Sequence, residues 1–134
     1  MQVINIIKIE PIYKNIGQEA ERQLSYTLTG EAKKADNVSH KVQGDVLDIQ
    51  VKSARATVCK GTDIEAYLQN DGAKRFAYVL KDFTKAYIMD LTMYIAFVNA
   101  FATVTRESQK NGGGIKLRLK SESKAMLEWL SARA

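Results

Sequence analysis

The middle of the chain carries four polar residues at short spacing, Asp45, Asp48, Gln50 and Lys52. Because side chains alternate across a β-strand, the last three are expected to project from one face, while Ile49 and Val51 pack against a core on the other. Carboxylate and amide oxygens bind hard divalent cations, and a nearby ammonium group stabilises developing negative charge. The segment 44–53 therefore predicts a strand that could hold a metal ion and assist a reaction at a phosphate or carbonyl group.

The same alternation is also typical of the solvent face of a half-exposed strand. A second feature of the segment favours a site. The apolar positions are odd-numbered at Ile49 and Val51 but even-numbered at Ala54 and Val58, which predicts a bulge or bend near residues 52 and 53 within one strand ending at Gly61. Bulges often lie beside active sites because they redirect side chains.

The remaining elements must position this strand. Helices are predicted for residues 15–28, 63–69 (with Thr62 as its cap) and 91–108, with a last helix starting at residues 121 and 122. Strands are predicted for residues 3–9 and 115–120, and an antiparallel hairpin for 76–80 and 86–89. The order is β-α-β-α-β-β-α-β-α, without an internal repeat or linker. It predicts a single domain over residues 1–134, an α/β or α+β fold with a mixed central β-sheet flanked by helices.

Composition restricts the function classes. The formal charge is +5 and the pI is about 9.3, which favours a polyanionic partner. The single Cys59 excludes an intrachain disulfide framework and any multi-cysteine zinc site. The N-terminus lacks a signal-peptide pattern, and the longest apolar run, around residues 94–104, is too short to span a bilayer. We therefore expect a cytoplasmic protein without a membrane partner.

The residues Asp45 and Gln50-Val51-Lys52, preceded by a helix that bears Glu19, resemble the PD-(D/E)XK nuclease superfamily, with Gln in the acidic position of the motif. The likeness covers residues 15–58 by motif and implies a restriction-endonuclease-like core. Asp45 and Gln50 are separated by four residues, fewer than the family usually has. This short interval leaves Asp48 as an alternative first ligand to the favoured Asp45.

The resemblance implies a metal-dependent DNA endonuclease that hydrolyses phosphodiester bonds. Asp45 and Gln50 would bind Mg²⁺, with Mn²⁺ as a possible substitute, and Lys52 would orient or activate the attacking water. Glu19 or Asp48 would contribute a further ligand. The metal would stabilise the pentavalent transition state.

Double-stranded DNA is the expected partner, because basic side chains surround the predicted cleft. The candidates for phosphate contact are Lys33, Lys34, Lys41, Arg55, Lys60 and the strand residues Lys116, Arg118 and Lys120. We also expect a homodimer or higher homo-oligomer, since helix 91–108 is apolar on nearly every side. The alternatives are a non-catalytic nucleic-acid-binding subunit on the same fold, and an assembly protein whose basic face binds an acidic partner.

Overall fold

The computed structural model describes residues 1–32, 45–68, 75–106 and 114–134 of the chain. Its first half contains β1 (Gln2–Asn5), α1 (Ile16–Thr29), β2 (Ile49–Lys52), β3 (Thr57–Lys60) and α2 (Ile64–Leu68). The second half contains β4 (Arg75–Val79), β5 (Lys85–Met89), α3 (Leu91–Phe101), β6 (Ala102–Arg106), β7 (Ile115–Leu119) and α4 (Lys124–Arg133). The architecture is mixed α and β, as the sequence predicts.

The described strands form two sheets. The first has the order β1-β5-β4-β2, in which β2 runs parallel to β4 and the other neighbours are antiparallel. The second has the order β3-β7-β6 and is antiparallel throughout. The predicted hairpin of β4 and β5 is confirmed, and the first sheet is mixed as expected.

Apolar side chains divide into two clusters on opposite faces of the first sheet. Ala77 and Val79 of β4 pack in the cluster that contains Ala20 and Leu24 of α1. Their neighbours in the strand, such as Tyr78, pack in the other cluster with α3, α4 and the second sheet. The first sheet therefore has α1 on one face and the larger core on the other, as the strand alternation requires.

Helix α1 agrees closely with the sequence prediction because its end signals are local. The Asn15 side chain accepts a hydrogen bond from the Gln18 N–H at 3.0 Å and caps the N-terminus. Gly30 closes the helix in the left-handed conformation, with φ at 78°. Helix α2 differs in its cap, since Asp63 rather than Thr62 accepts the N–H of Ala66 at 3.1 Å.

The prediction of one bent strand up to Gly61 is wrong. The chain leaves β2 after Lys52, turns at residues 54 and 55, and enters β3 in the other sheet. Arg55 has φ at 64°, a left-handed conformation that reverses the chain direction. The change of phase in the apolar pattern therefore marks a change of sheet, and the register shift lies further on, between Thr57 and Cys59 of β3.

The predicted helix 91–108 is also shorter in the structure. Helix α3 ends at Phe101, and residues 102–106 form strand β6, which pairs with β7. The β-branched run Thr103-Val104-Thr105 favours a strand and provides the physical reason. Helix α3 buries Tyr94, Phe97 and Val98.

The outer side of α3 bears on the expected oligomer. It carries the exposed residues Leu91, Thr92, Ala96, Asn99 and Ala100, of which only Leu91 is a large hydrophobic residue. The apolar character of the helix is thus largely used within the chain, and the homo-oligomer stays a prediction. None of the helices in the described ranges has the length and apolar content needed to cross a membrane.

Candidate active site

A two-residue turn joins Asp45 to the motif strand. Val46 and Ile49 exchange both of their backbone hydrogen bonds, at 3.0 and 2.8 Å, and form an antiparallel bridge. Leu47 lies in the turn with φ at 54°, a conformation that a residue with a side chain rarely adopts. Asp45 and Gln50 flank the bridged pair, so the tight hairpin places them opposite one another although few residues separate them.

Asp45 and Gln50 are opposite one another in this hairpin, one position outside the bridged pair. Directly opposite residues in an antiparallel pair share a face, with Cβ atoms about 5 Å apart. Oδ2 of Asp45 accepts a hydrogen bond from the Val51 N–H at 2.8 Å, which fixes the carboxylate beside the strand. Oε1 of Gln50 is buried and has no hydrogen-bond partner among the described residues.

The site lies on the face of β2 that points away from α1. Ile49 and Val51 are 1% and 6% exposed and pack in the α1 cluster, together with Val46. Gln50 and Lys52 are half-buried and alternate with them, as predicted. Nζ of Lys52 donates to the Thr57 carbonyl oxygen at 3.0 Å, so its ammonium group is held toward β3. Gln50 and Lys52 therefore share one face of β2.

Asp48 does not belong to this face. It lies in the turn outside β2, and its carboxylate accepts two hydrogen bonds from Arg75, from Nε at 2.8 Å and from Nη2 at 2.6 Å. These charge-assisted bonds from the guanidinium group lower the pKa of Asp48 despite partial burial. The expectation that Asp48 lines up with Gln50 and Lys52 is not met, because the strand begins one residue later.

Glu19 lies in α1, on the opposite face of the sheet, and is 1% exposed. Its Oε1 accepts the N–H groups of Ile12 and Tyr13 at 2.9 and 3.2 Å. Its Oε2 accepts hydrogen bonds from Arg22 at 3.0 Å and from Gln23 at 3.1 Å. Burial raises the pKa of Glu19, but the hydrogen bonds from these donors together lower it by more. The pKa of Glu19 is therefore below its ordinary value. The carboxylate fastens the segment before α1, and the structure does not bring it to Asp45.

The hairpin thus places Asp45, with its carboxylate, opposite Gln50, with its amide oxygen. Within residues 1–32, 45–68, 75–106 and 114–134, no group of three or more His, Cys, Asp or Glu side chains could hold a metal ion. Mg²⁺ fits such a sparse site, because it keeps several water ligands and is usually held by one or two carboxylates together with substrate phosphates. The buried, unpaired Oε1 of Gln50 is the feature that a cation would satisfy.

The predicted DNA contacts have different outcomes. Lys33, Lys34 and Lys41 lie outside the described residues. Lys60 is exposed at the end of β3, where its register partner in β7 is Lys116. Arg55 is exposed in the turn between β2 and β3, and its carbonyl oxygen accepts a hydrogen bond from Nε of Arg118 at 2.6 Å.

A cleft next to this turn was not predicted from the sequence. It has a volume of about 470 Å³ and is lined by residues 14–17, residues 53–56 and Arg118. We call it the basic cleft, because its charged lining residues are Lys14, Arg55 and Arg118. A smaller neighbouring cavity of about 150 Å³ shares Arg55 with it and adds Lys81 and Glu122. The cleft is lined by segments that are far apart in sequence, so no local sequence pattern predicts it.

Comparisons with known proteins supply no relative for the chain: no family model, curated protein or solved structure matches it.

Proposed function

We propose that the chain is a Mg²⁺-dependent endodeoxyribonuclease with a PD-(D/E)XK type of site. One observation carries this proposal. The two-residue turn places Asp45 opposite Gln50, whose Oε1 is buried without a hydrogen-bond partner among the described residues. Lys52 follows two residues later on the same face of β2. An acid and an amide oxygen can hold a metal ion, and a lysine nearby can assist the phosphodiester hydrolysis that such a metal supports.

Each of these residues has a distinct role in the proposed reaction. Asp45 and Gln50 would hold Mg²⁺, which would supply charge neutralisation for the phosphate and a more acidic water. Lys52 positions the attacking water by hydrogen bonding and places a positive charge near the developing phosphorane. The attacking water gives up a proton to the solvent as its oxygen forms a bond to phosphorus, one ester P–O bond breaks, and the leaving oxygen takes up a proton from the solvent.

The surroundings of the site support the same function. The formal charge of +5 suits a polyanionic substrate. A turn that contains Arg55 follows Lys52 directly and lines a basic cleft, which suits the binding of a DNA strand. In the element order, α1 precedes the hairpin, and β2 lies in a mixed sheet, which agrees with a restriction-endonuclease-like core. Double-strand cleavage by such a small domain would use two copies of the chain in a homo-oligomer.

The test is incubation with supercoiled, linear and four-way-junction DNA in Mg²⁺, Mn²⁺ or chelator. We expect cleavage that needs the metal and that Lys52→Ala reduces by about 100-fold or more. Lys124→Ala, at an exposed position of α4, is the matched control and should cleave like the wild type. Cleavage that persists in chelator, or that Lys52→Ala leaves intact, would refute the catalytic assignment.

A specific observation also favours the rival function, a non-catalytic nucleic-acid-binding subunit. Among the described residues the site has two oxygen donors, since the carboxylates of Glu19 and Asp48 are bound to other partners. This rival predicts DNA binding that is independent of Mg²⁺, together with no cleavage by the wild type on any of the three substrates. The same incubation, followed by a binding assay in chelator, separates the two functions.

A further inference from the structure

We propose that the basic cleft binds a phosphate of the DNA backbone, with Lys14, Arg55 and Arg118 as the cationic contacts. This inference rests on the proposed function for its choice of ligand, but it concerns residues outside the metal site. It adds Lys14 and Ser53 to the substrate-binding residues and gives the turn between β2 and β3 a role.

The charge of the cleft points to an anionic ligand. Of the described residues that line it, three carry cationic side chains and none is acidic. Among the described residues, no ion pair engages Lys14, Arg55 or Arg118. Cations that are brought together without a counter-charge repel one another, so an anion in the cleft would relieve that repulsion. Its volume of about 470 Å³ is large enough for a phosphate with its attached sugar.

Ser53 adds a hydroxyl donor to the residues that line the cleft, and its side chain is 2% exposed. Ile16 and Gly17, the first residues of α1, line the same cleft. N–H groups in the first turn of a helix have no partner inside the helix. A phosphate oxygen accepts hydrogen bonds from both kinds of donor.

The position of the cleft relates it to the metal site. Ser53 directly follows Lys52, and Nζ of Lys52 bonds to the carbonyl oxygen of Thr57 at the other end of the turn. Residues 53–56 of this turn line the cleft, and the hydrogen bond from Lys52 to Thr57 joins the two residues that flank the turn. A backbone phosphate held in the cleft would fix the strand of DNA at a constant position relative to Asp45 and Gln50.

The experiment measures binding of a 20-base-pair duplex in chelator, over a series of salt concentrations, so that cleavage plays no part. Lys14→Gln and Arg55→Asn should each weaken binding about five- to tenfold and lower the slope of log K against log salt by about one. Ser53→Ala should weaken binding more modestly, about two- to threefold. Lys124→Gln, on the exposed side of α4, is the charge-matched control and should leave affinity and slope unchanged.

Arg55→Asn also separates binding from folding. Asn tolerates the left-handed conformation of position 55 better than Arg, so this variant should be at least as stable as the wild type while it binds DNA less well. Weakened binding together with lower stability would count against the proposal, because misfolding would then explain the loss.

The remaining outcomes are distinct. Unchanged duplex affinity in both charge variants overturns the cleft proposal, even if the wild type cleaves DNA in Mg²⁺. Weakened affinity supports it, even if the wild type cleaves nothing, and in that case only the proposed function fails. Competition by a nucleoside monophosphate or inorganic phosphate, with no effect of the variants on duplex binding, identifies a free phosphate as the ligand and overturns the assignment to DNA.

Discussion

Oδ2 of Asp45 accepts the backbone N–H of Val51 at 2.8 Å, across a two-residue turn. The bond ties the favoured metal ligand to the strand that carries Gln50 and Lys52. One oxygen of the carboxylate thus holds the hairpin in register, and a carboxylate oxygen has further lone pairs for a cation. The residue has this structural role and, in the proposed function, also a chemical one, and the two can be separated by substitution.

Asp45→Asn should keep the fold and lose the activity. The amide oxygen of Asn can still accept the Val51 N–H, but the negative charge that attracts Mg²⁺ is gone. We expect cleavage to fall about 100-fold or more, while the free energy of unfolding in urea changes by less than about 0.5 kcal/mol. Asp45→Ala is the contrasting variant, because it leaves the buried Val51 N–H unpaired and should cost about 1–3 kcal/mol. Full activity in Asp45→Asn would remove Asp45 from the site.

Asp48→Asn tests which aspartate is the ligand. Its carboxylate is bound by the Arg75 fork and lies outside the site face, so we expect metal-dependent cleavage to stay within about threefold of the wild type. Both side chains are partly exposed, at 33% and 44%, so screening limits the loss of stability to about 0.5–1 kcal/mol. The measurements are initial cleavage rates and urea unfolding. A loss of activity as large as that in Asp45→Asn would make Asp48 the ligand instead.

The sequence predicts those parts of the structure whose signals are local. Helix α1 has its cap residue and its terminal glycine in place, and the alternation of Ile49 and Val51 with Gln50 and Lys52 fixes which side chains reach the core. The β4–β5 hairpin follows from two short β-rich runs close together. In each case residues close in sequence determine the secondary structure, and tertiary contacts do not change it.

Other features depend on contacts between distant segments, or on turns without the usual residues. Leu47 occupies a turn position with positive φ where Gly or Asn is expected, so the tight hairpin has no sequence signature. The residues after Phe101 continue an apolar helical pattern, which hides the β-branched run of residues 103–105 until pairing with β7 makes them a strand. The role of Glu19 is similarly hidden, because it depends on the path of residues 6–13 over α1 rather than on the spacing within α1.

Glu19→Gln should destabilise the protein and remove part of its acid sensitivity. The Glu19 carboxylate is buried and accepts bonds from Ile12, Tyr13, Arg22 and Gln23, and the amide that replaces it cannot accept from all of them. We expect a loss of about 2–3 kcal/mol at pH 7. Because the pKa is lowered in the folded protein, this stabilisation is fully present above the ordinary pKa of 4.5 and disappears as the pH falls through the lower folded value.

Urea unfolding of wild type and Glu19→Gln at pH 7, 5 and 3 checks this dependence. The difference between the two proteins should be constant from pH 7 to 5 and shrink toward pH 3. Lys124→Gln, at an exposed site, serves as the control whose difference from wild type does not depend on pH in this range. A difference that stays the same at all three values would show that the carboxylate charge contributes nothing. If Glu19→Gln loses metal-dependent cleavage while its stability is unchanged, Glu19 acts as a metal ligand.

Gln50→Leu tests whether the buried amide of Gln50 lowers the stability of the protein and whether it binds the metal ion. Oε1 of Gln50 is buried without a hydrogen-bond partner in the described part of the chain, and such a group typically destabilises a protein by about 1–3 kcal/mol. Leucine has a similar volume and no polar atom, so the variant should unfold at a higher urea concentration in chelator than the wild type. If Oε1 is a metal ligand, the same variant should lose cleavage and lose the stabilisation that Mg²⁺ gives to the wild type.

Gln50→Glu is the matched variant with a stronger oxygen ligand. It should be less stable than the wild type in chelator, because a carboxylate is costlier to bury than an amide. It should also gain more stability from added Mg²⁺, since its charge attracts the cation, and it should retain cleavage. The midpoints of urea unfolding with and without Mg²⁺ measure both effects independently of activity. If Gln50→Leu is more stable and still cleaves at the wild-type rate, Oε1 of Gln50 is not a metal ligand. Asp45 would then have no second oxygen ligand in the proposed site.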